Sequence, residues 1–358
     1  MQQISPSRKR EGLLLTLEMT NEYEAHQTRK ARARLEKEAD KEKAKSSTNM
    51  FVATFDRQSV LYTSCTLVSL MYYMRKLCCN NLSVYNLSNQ SGTCYLWSEF
   101  EAGRGSCEVA TCLRLQLQSL PLNIECVIEY SDACGGQNRN QIIAASLISA
   151  VSTMDSIAVV DHKFLASGHT DMECDSMHSA IEFAKKKTPI YVPTQWNTVI
   201  HMARRKNPYS VVPLKHSDII DFKQIRAQKV KNVKTTVDGK KINWRKIRWM
   251  RFQKETPNTC LIKYDLDEEF QAIQLTGIKR GRSTDVSSTS EKLPRRYQSK
   301  LPISAAKKKD LVDLCKAGII PTEFHEYYMT LTSQQNKADR LPSPDILESN
   351  SDSDTDNE

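Results

Sequence analysis

The sequence predicts an α/β fold in which a mixed sheet lies between helices. Residues 50–187 alternate β-branched, strand-like runs with helical runs in the order strand, strand, strand, helix, strand, helix, strand, helix. The first and fourth strands each end on an aspartate, Asp56 and Asp132. Polar, apolar-poor stretches flank this block on both sides, as a folded body with solvated ends requires.

The 358 residues suffice for one or two domains of about 100–200 residues each. Residues 1–20 read as disordered and 21–48 as a charged helix. The α/β domain with its packing helices takes 49–220, and a basic β-rich subdomain takes 221–280. A Ser-, Thr- and Arg-rich linker spans 281–303, a helical hairpin 304–332, and an acidic disordered tail 333–358.

The run EYEAHQTRKARARLEKEADKEKAK mixes Glu and Lys with hardly any apolar stripe beyond Leu35, so a solvated helix is predicted. At Met50 the texture changes to MFVATFD, an apolar strand ending on Asp56. A short helix near 67–76 precedes strands near Leu82–Ser88 and Cys94–Ser98, joined through Ser91-Gly92 as a hairpin. A helix follows with Ser106 as its N-cap, Val109, Cys112, Leu113 and Leu117 on one face, and Pro121 beyond it. IECVIEYSD is the strand ending on Asp132, NQIIAASLISAVST a buried helix, SIAVVDHKFL a fifth strand, and MECDSMHSAIEFAKKK an amphipathic helix stopped by Thr188-Pro189. This is the element order of a ribonuclease H-like fold, a mixed five-stranded sheet flanked by helices.

A further helix lies between Pro193 and Pro208. From Phe222 to Lys254 twelve Lys or Arg stand against one acid, Asp238, and the halves KVKNVKTTV and KKINWRKIRWMRF meet at Asp238-Gly239, which favours a tight turn. A C-terminal basic β-hairpin is therefore predicted. Ser304 caps the first helix of the final hairpin and Gly318 ends it.

No apolar run approaches the roughly 20 residues of a bilayer helix, and residues 1–11 lack the apolar stretch of a signal peptide. A protein of the nucleus or cytoplasm, not secreted and without a membrane partner, is expected. The eleven cysteines include no Cys-x-x-Cys pair, which argues against a zinc ribbon and for buried thiols.

Phosphodiester cleavage or strand transfer needs the charge at a phosphate neutralised and a water or hydroxyl activated, work that a pair of Mg²⁺ (or Mn²⁺) ions does between carboxylates. In a ribonuclease H-like sheet the ends of the first and fourth strands are neighbours, so Asp56 and Asp132 are candidate metal ligands and catalytic residues. For a third ligand, GHTDMECDSMHSAIE offers Asp175, with Glu182 as the alternative; Asp175, His178 and Glu182 share one helical face. His169 in the same block is a further candidate. In ACGGQNRN, the Gly135-Gly136 pair lets backbone approach a phosphate while Gln137, Asn138 and Arg139 supply donors. Lys240, Lys241, Trp244, Arg245, Lys246, Arg248, Trp249 and Arg251 of the basic hairpin suit phosphate contact and base stacking.

The blocks TFDRQSVL, YYMRKLCCNNLSVYN, YLWSEFEAGRGSCEVATCL, YSDACGGQNRNQ, KFLASGHTDMECDSMHSAIE and DLVDLCKAGIIPTEFHEYY resemble an uncharacterised domain family of animal mobile-element-derived proteins, related by fold to ribonuclease H and the DDE transposases. The likeness runs from about residue 22 to 331. It implies a transposase-derived protein with Asp56, Asp132 and Asp175 at catalytic positions. The family pattern has Leu at Arg57, Pro at Ser64 and often Asn at Ala133, so an inactive, domesticated or truncated copy stays open beside an active one.

Two functions fit these residues. One is a Mg-dependent nuclease or strand transferase acting on DNA, with a homo-oligomer as a possible assembly. The other is a catalytically inactive nucleic-acid-binding or interaction protein. In the tail, Ser349, Ser351, Ser353 and Thr355 each precede an acid at the third position on, so phosphorylation would deepen its charge.

Overall fold

The computed structural model describes residues 6–64, 70–165, 172–186, 188–231, 234–275 and 293–338. His169, residues 276–292 and residues 339–358, with Ser349, Ser351, Ser353 and Thr355 of the acidic tail, lie outside the described residues. In chain order the elements are α1 (Pro6–Ser46), β1 (Met50–Arg57), β2 (Leu61–Thr63), α2 (Leu70–Tyr73), β3 (Leu77–Asn86), β4 (Gly92–Ser98), α3 (Ser106–Gln118) and β5 (Cys126–Ser131). There follow α4 (Gln141–Thr153), β6 (Val159–Phe164), α5 (Glu173–Lys185), α6 (Gln195–Met202), β7 (Ser210–Pro213), α7 (Phe222–Lys229), β8 (Trp249–Gln253), β9 (Thr259–Lys263) and β10 (Gln271–Gln274). Last come α8 (Ala305–Lys316) and α9 (His325–Thr330).

Among the described residues β1 to β10 form one mixed sheet, ordered β10-β9-β8-β6-β5-β1-β3-β4-β7 with β2 on β3, and Ile303–Ser304 pairs with Ser333–Gln334 as a separate two-stranded sheet. At its centre β1, β5 and β6 are parallel, while β3 and β4 run antiparallel as a hairpin. The expected sheet of five is thus too small. β7 adds to β4 at one edge, and β8, β9 and β10 extend the other.

That extension corrects the basic hairpin. The turn forms, with Gly239 at φ 79 and Thr235 bridged to Lys241, but among the described residues no long ribbon grows from it. Residues 222–229 are helical instead, and the second half enters the main sheet as β8 between β6 and β9. Alternation decides this. Met250 and Phe252 join the main core on one face, while on the other Trp249 is buried over Lys163 and Arg251 forks onto Asp161 at 2.7 and 2.8 Å.

Helices cover both faces. Phe51, Ala53, Phe55, Val127 and Val160 meet α3, α4 and α7 in the main core. Each such fully buried large apolar side chain contributes about 1.5–3 kcal/mol relative to exposure. On the opposite face Val52, Ile128 and Tyr130 pack with residues of α1 and α5.

The solvated-helix expectation for α1 is also corrected. The helix begins at Pro6, inside the stretch read as disordered, and its C-terminal half docks on the sheet. Ala33, Lys37, Asp40 and Ala44 are buried at a four-three-four spacing, so a packing seam exists, built of small and charged residues rather than large apolar ones. Its polar members are matched from below. Lys163 of β6 donates to Glu36 (2.7 Å) and to Asp40, Tyr130 donates to Asp40 (2.6 Å), and Lys37 reaches Glu173 at the start of α5 (3.0 Å).

Smaller expectations divide. Ser304 caps α8 by accepting from the Lys307 backbone N–H (3.1 Å), and Gly318 follows α8 at φ 68. Ser106 is the first residue of α3 rather than its cap; Gly105 precedes it, its N–H held by Glu108 (2.9 Å). Ten cysteines among the described residues are free thiols, eight of them buried.

Candidate metal centre

The β1–β5 register runs from Met50 opposite Cys126 to Thr54 opposite Tyr130. Two residues further along each chain stand Asp56 and Asp132, so the pairing that builds the sheet also sets these acids level at one edge. Across the β1–β3 seam Asp56 stands opposite Ser83. The side chain of Asp56 shares a face with Thr54, the face that α5 covers.

Cys174, in the first turn of α5, fixes that helix over the seam. Its buried thiol donates to the carbonyl oxygens of Thr54 (3.5 Å) and Ser83 (3.4 Å). Asp175 is the next residue, and His178 stands one turn on, its Nε2 3.2 Å from Ser83 Oγ. The result is a group of three: one ligand atom each from Asp56, Asp175 and His178, all within 4.8 Å of one another.

The electrostatics of Asp56 and His178 follow from the desolvation of two half-buried side chains. Desolvation, then the neighbouring charges of Asp132 and Asp175, push the Asp56 carboxyl up from 3.8 to about 7, against the opposing pull of the Arg57 backbone N–H. Burial pushes His178 down to about 4, so at neutral pH it is an uncharged imidazole with a lone pair to offer. Asp175 is exposed and also accepts the Met172 backbone N–H (3.1 Å), so it caps α5 and faces Asp56 at once.

Asp132 lies close enough to raise the Asp56 pKa but outside the group of three. Its Oδ1 accepts from Cys134 N–H (3.4 Å) and from the buried Asn138 amide. Asn138 thus orients an acid rather than facing a ligand. Glu182, the alternative third ligand, is turned elsewhere: it pairs with Lys185 (2.7 Å) and accepts from Gln58 (3.4 Å). Gln58, Asn81 and Ser83 carry that contact on to His178 through bonds of 2.9 and 3.2 Å.

Gly135 and Gly136 have open space where a Cβ would stand, and Ser106 and Asn140 tie their carbonyls to the starts of α3 and α4 (both 2.9 Å). Gln137, half-buried, sits in the same loop. Of the basic candidates, Lys240, Lys241, Arg245 and Lys246 are exposed, while Trp244 and Arg248 are half-buried. Trp249 and Arg251 belong to the sheet and do not form the expected stacking platform. Arg139 is half-buried, with Nη1 on the Ile247 carbonyl (3.3 Å) and its guanidinium 5.8 Å from the Phe164 ring centre.

Ser83 and Cys174 are the site residues that the reading of the sequence missed. Their signal is register: counting back along the hairpin from Gly92 opposite Tyr85 places Ser83 in β3, and β1 pairing then sets it against Asp56.

No family model matches the chain, and neither a curated protein nor a solved structure matches it. No helix among the described residues is long and apolar enough to cross a membrane.

Proposed function

We propose that this chain is a transposase-derived, ribonuclease H-like protein that acts on DNA in the nucleus, using Asp56, Asp132, Asp175 and His178 to hold divalent metal. The observation that carries the reading is the convergence of Asp56, Asp175 and His178 from β1 and α5 within 4.8 Å, with Asp132 beside them at the end of β5. The strand run β4-β3-β1-β5-β6 inside the larger sheet supports the fold assignment: an antiparallel hairpin lies beside the first strand, and two parallel strands lie on its other side.

The donor set fits a metal ion. Metal–oxygen and metal–nitrogen bonds of about 2.0–2.2 Å would bring neighbouring ligand atoms to roughly 3 Å, so Asp56, Asp175 and His178 would close by up to about 2 Å to hold one ion. Carboxylates suit Mg²⁺ and Mn²⁺, and one neutral imidazole shifts the preference toward Mn²⁺. An acid held protonated up to about pH 7 by burial and by two neighbouring acids marks a place where a cation relieves repulsion.

Such an ion, when bound, stabilises charge at the phosphate and lowers the pKa of a water. The protein's own contribution is positional. Ser83 orients the His178 ring, Asn138 orients Asp132, and the Cys174 thiol fixes the height of α5 above the sheet. Asp56 gives up its proton as the site fills, so binding strengthens as pH rises through about 7.

A second reading, a catalytically inactive nucleic-acid-binding protein, is favoured by the position of Asp132 outside the group of three. The two are separated by incubating the full chain with DNA and Mn²⁺ or Mg²⁺. The first reading expects cleavage or joining that Asp132→Asn abolishes while salt-sensitive binding persists. Metal binding without any strand cleavage or joining selects the second.

A further inference from the structure

We infer that Arg29, Arg139 and Arg248 form a phosphate-binding track that carries a DNA strand away from Asp132. The inference rests on the proposed action on DNA but uses residues separate from the metal ligands, and one of them comes from α1.

A shallow cleft opens between α1 and the loop after β9, lined by Arg29, Arg32, Phe164, Arg248 and Asp265 among others. Arg32 is committed there to Glu36 (3.2 Å) and Asp267 (2.8 Å). Arg29 is exposed at the mouth. Arg248 is half-buried, and its Nη1 is buried without a hydrogen-bond partner among the described residues. Phe164 links the cleft to Arg139, whose Nε is likewise buried and unpartnered among the described residues.

The three guanidiniums sense one another in sequence. Burial, then Arg29, holds Arg248 below the ordinary arginine range, with Asp265 opposing. Burial, then Arg248, lowers Arg139 to about 10, with Asp132 opposing. The contacts give the same order: Arg29 and Arg248 line one cleft, Arg139 holds the carbonyl of Ile247 beside Arg248, and Asn138 beside Arg139 holds Asp132, so the line runs Arg29, Arg248, Arg139, Asp132. Like charges brought together, two of them with an interior N–H unpartnered among the described residues, are unfavourable by themselves, and an anion against the exposed sides of these guanidiniums offsets that repulsion. Guanidinium forks match phosphate oxygens in pairs, and several in succession from a cluster of acids suit a chain of phosphates better than one small anion.

The test is the affinity of the full chain for a labelled DNA duplex, in EDTA so that no metal contributes, between about 50 and 200 mM salt. Arg29→Ala and Arg248→Ala should each lower affinity about eightfold near 0.1 M salt and reduce the log–log salt slope by about 0.9. Arg248→Lys should recover part of the loss, because charge returns without the fork. Arg205→Ala, an exposed arginine on the segment after α6, should change affinity less than about twofold. Unchanged affinity in Arg29→Ala, an equal loss in Arg205→Ala, or no DNA binding by the wild type overturns the track. Should Arg248→Ala misfold, Arg29→Glu on the exposed helix surface decides. Mn²⁺ binding by the arginine variants should equal wild type. If Mn²⁺ fails to bind wild type while DNA affinity still depends on Arg29, the metal reading falls and the track stands.

Discussion

Replacing Asp56 by asparagine keeps the shape of the side chain and removes the acid that burial and its neighbours make costly. In the unfolded chain this carboxyl ionises near the ordinary 3.8; in the folded protein it ionises near 7. The folded state therefore holds the proton more tightly. Its contribution to stability is fully present below pH about 4 and is lost as pH rises to about 7. At about 1.4 kcal/mol for each of roughly three pH units, the loss is about 4 kcal/mol. Urea unfolding of wild type and Asp56→Asn in EDTA should give similar stabilities near pH 4, with the variant the more stable by about that amount near pH 8. Groups that do not interact with Asp56 cancel in this difference. Mn²⁺ at about a hundred times its Kd should return about 2.7 kcal/mol to wild type and nothing to the variant. A stability difference that stays flat between pH 4 and pH 8 would refute the account of Asp56 as a buried acid crowded by other acids.

Lys163→Met should destabilise the protein by about 3–5 kcal/mol in chemical denaturation, because it removes the buried cation that Glu36 and Asp40 share and leaves them only the more exposed Arg32 and Lys43. Adding Asp40→Leu to that variant should recover part of the loss. Gly92→Ala would set a Cβ 2.7 Å from Met177 Cε and 2.8 Å from Tyr209 Cδ1, and should cost about 1–3 kcal/mol by thermal unfolding. Met177 adjoins His178, so the same variant should also bind Mn²⁺ more weakly, and unchanged Mn²⁺ affinity would separate the packing of α5 from the metal group.

Five of the six strands and most helices could be read in chain order from residues 50–187, because apolar periodicity is a local property, whereas the short β2 went unread and β3 begins at Leu77 rather than near Leu82. That Asp56 and Asp132 stand level was legible for a related reason, since each lies at a strand end and β1 pairs in parallel with β5; that Asp132 stays outside the group of three was not. The spacing of Asp175 and His178 on one helical face was legible too. Whether Asp175 or Glu182 approaches Asp56 was not, since both lie on α5 and only the height at which Cys174 anchors that helix separates them.

Other features were decided by tertiary contacts alone. The seam of α1 is invisible to hydrophobic patterning because its inward residues are Ala33, Lys37, Asp40 and Ala44, and the partners that make burial of Lys37 and Asp40 tolerable are Glu173, Tyr130 and Lys163, far along the chain. The basic stretch looked like a free ribbon because charge dominates its composition, yet Met250 and Phe252 were enough to draw β8 into the sheet once β6 offered an open edge. Local pattern determines which segments can be strands and helices. Which charges end up buried together depends on long-range pairing, because a buried charge is tolerated only where its counter-charge arrives from elsewhere in the fold.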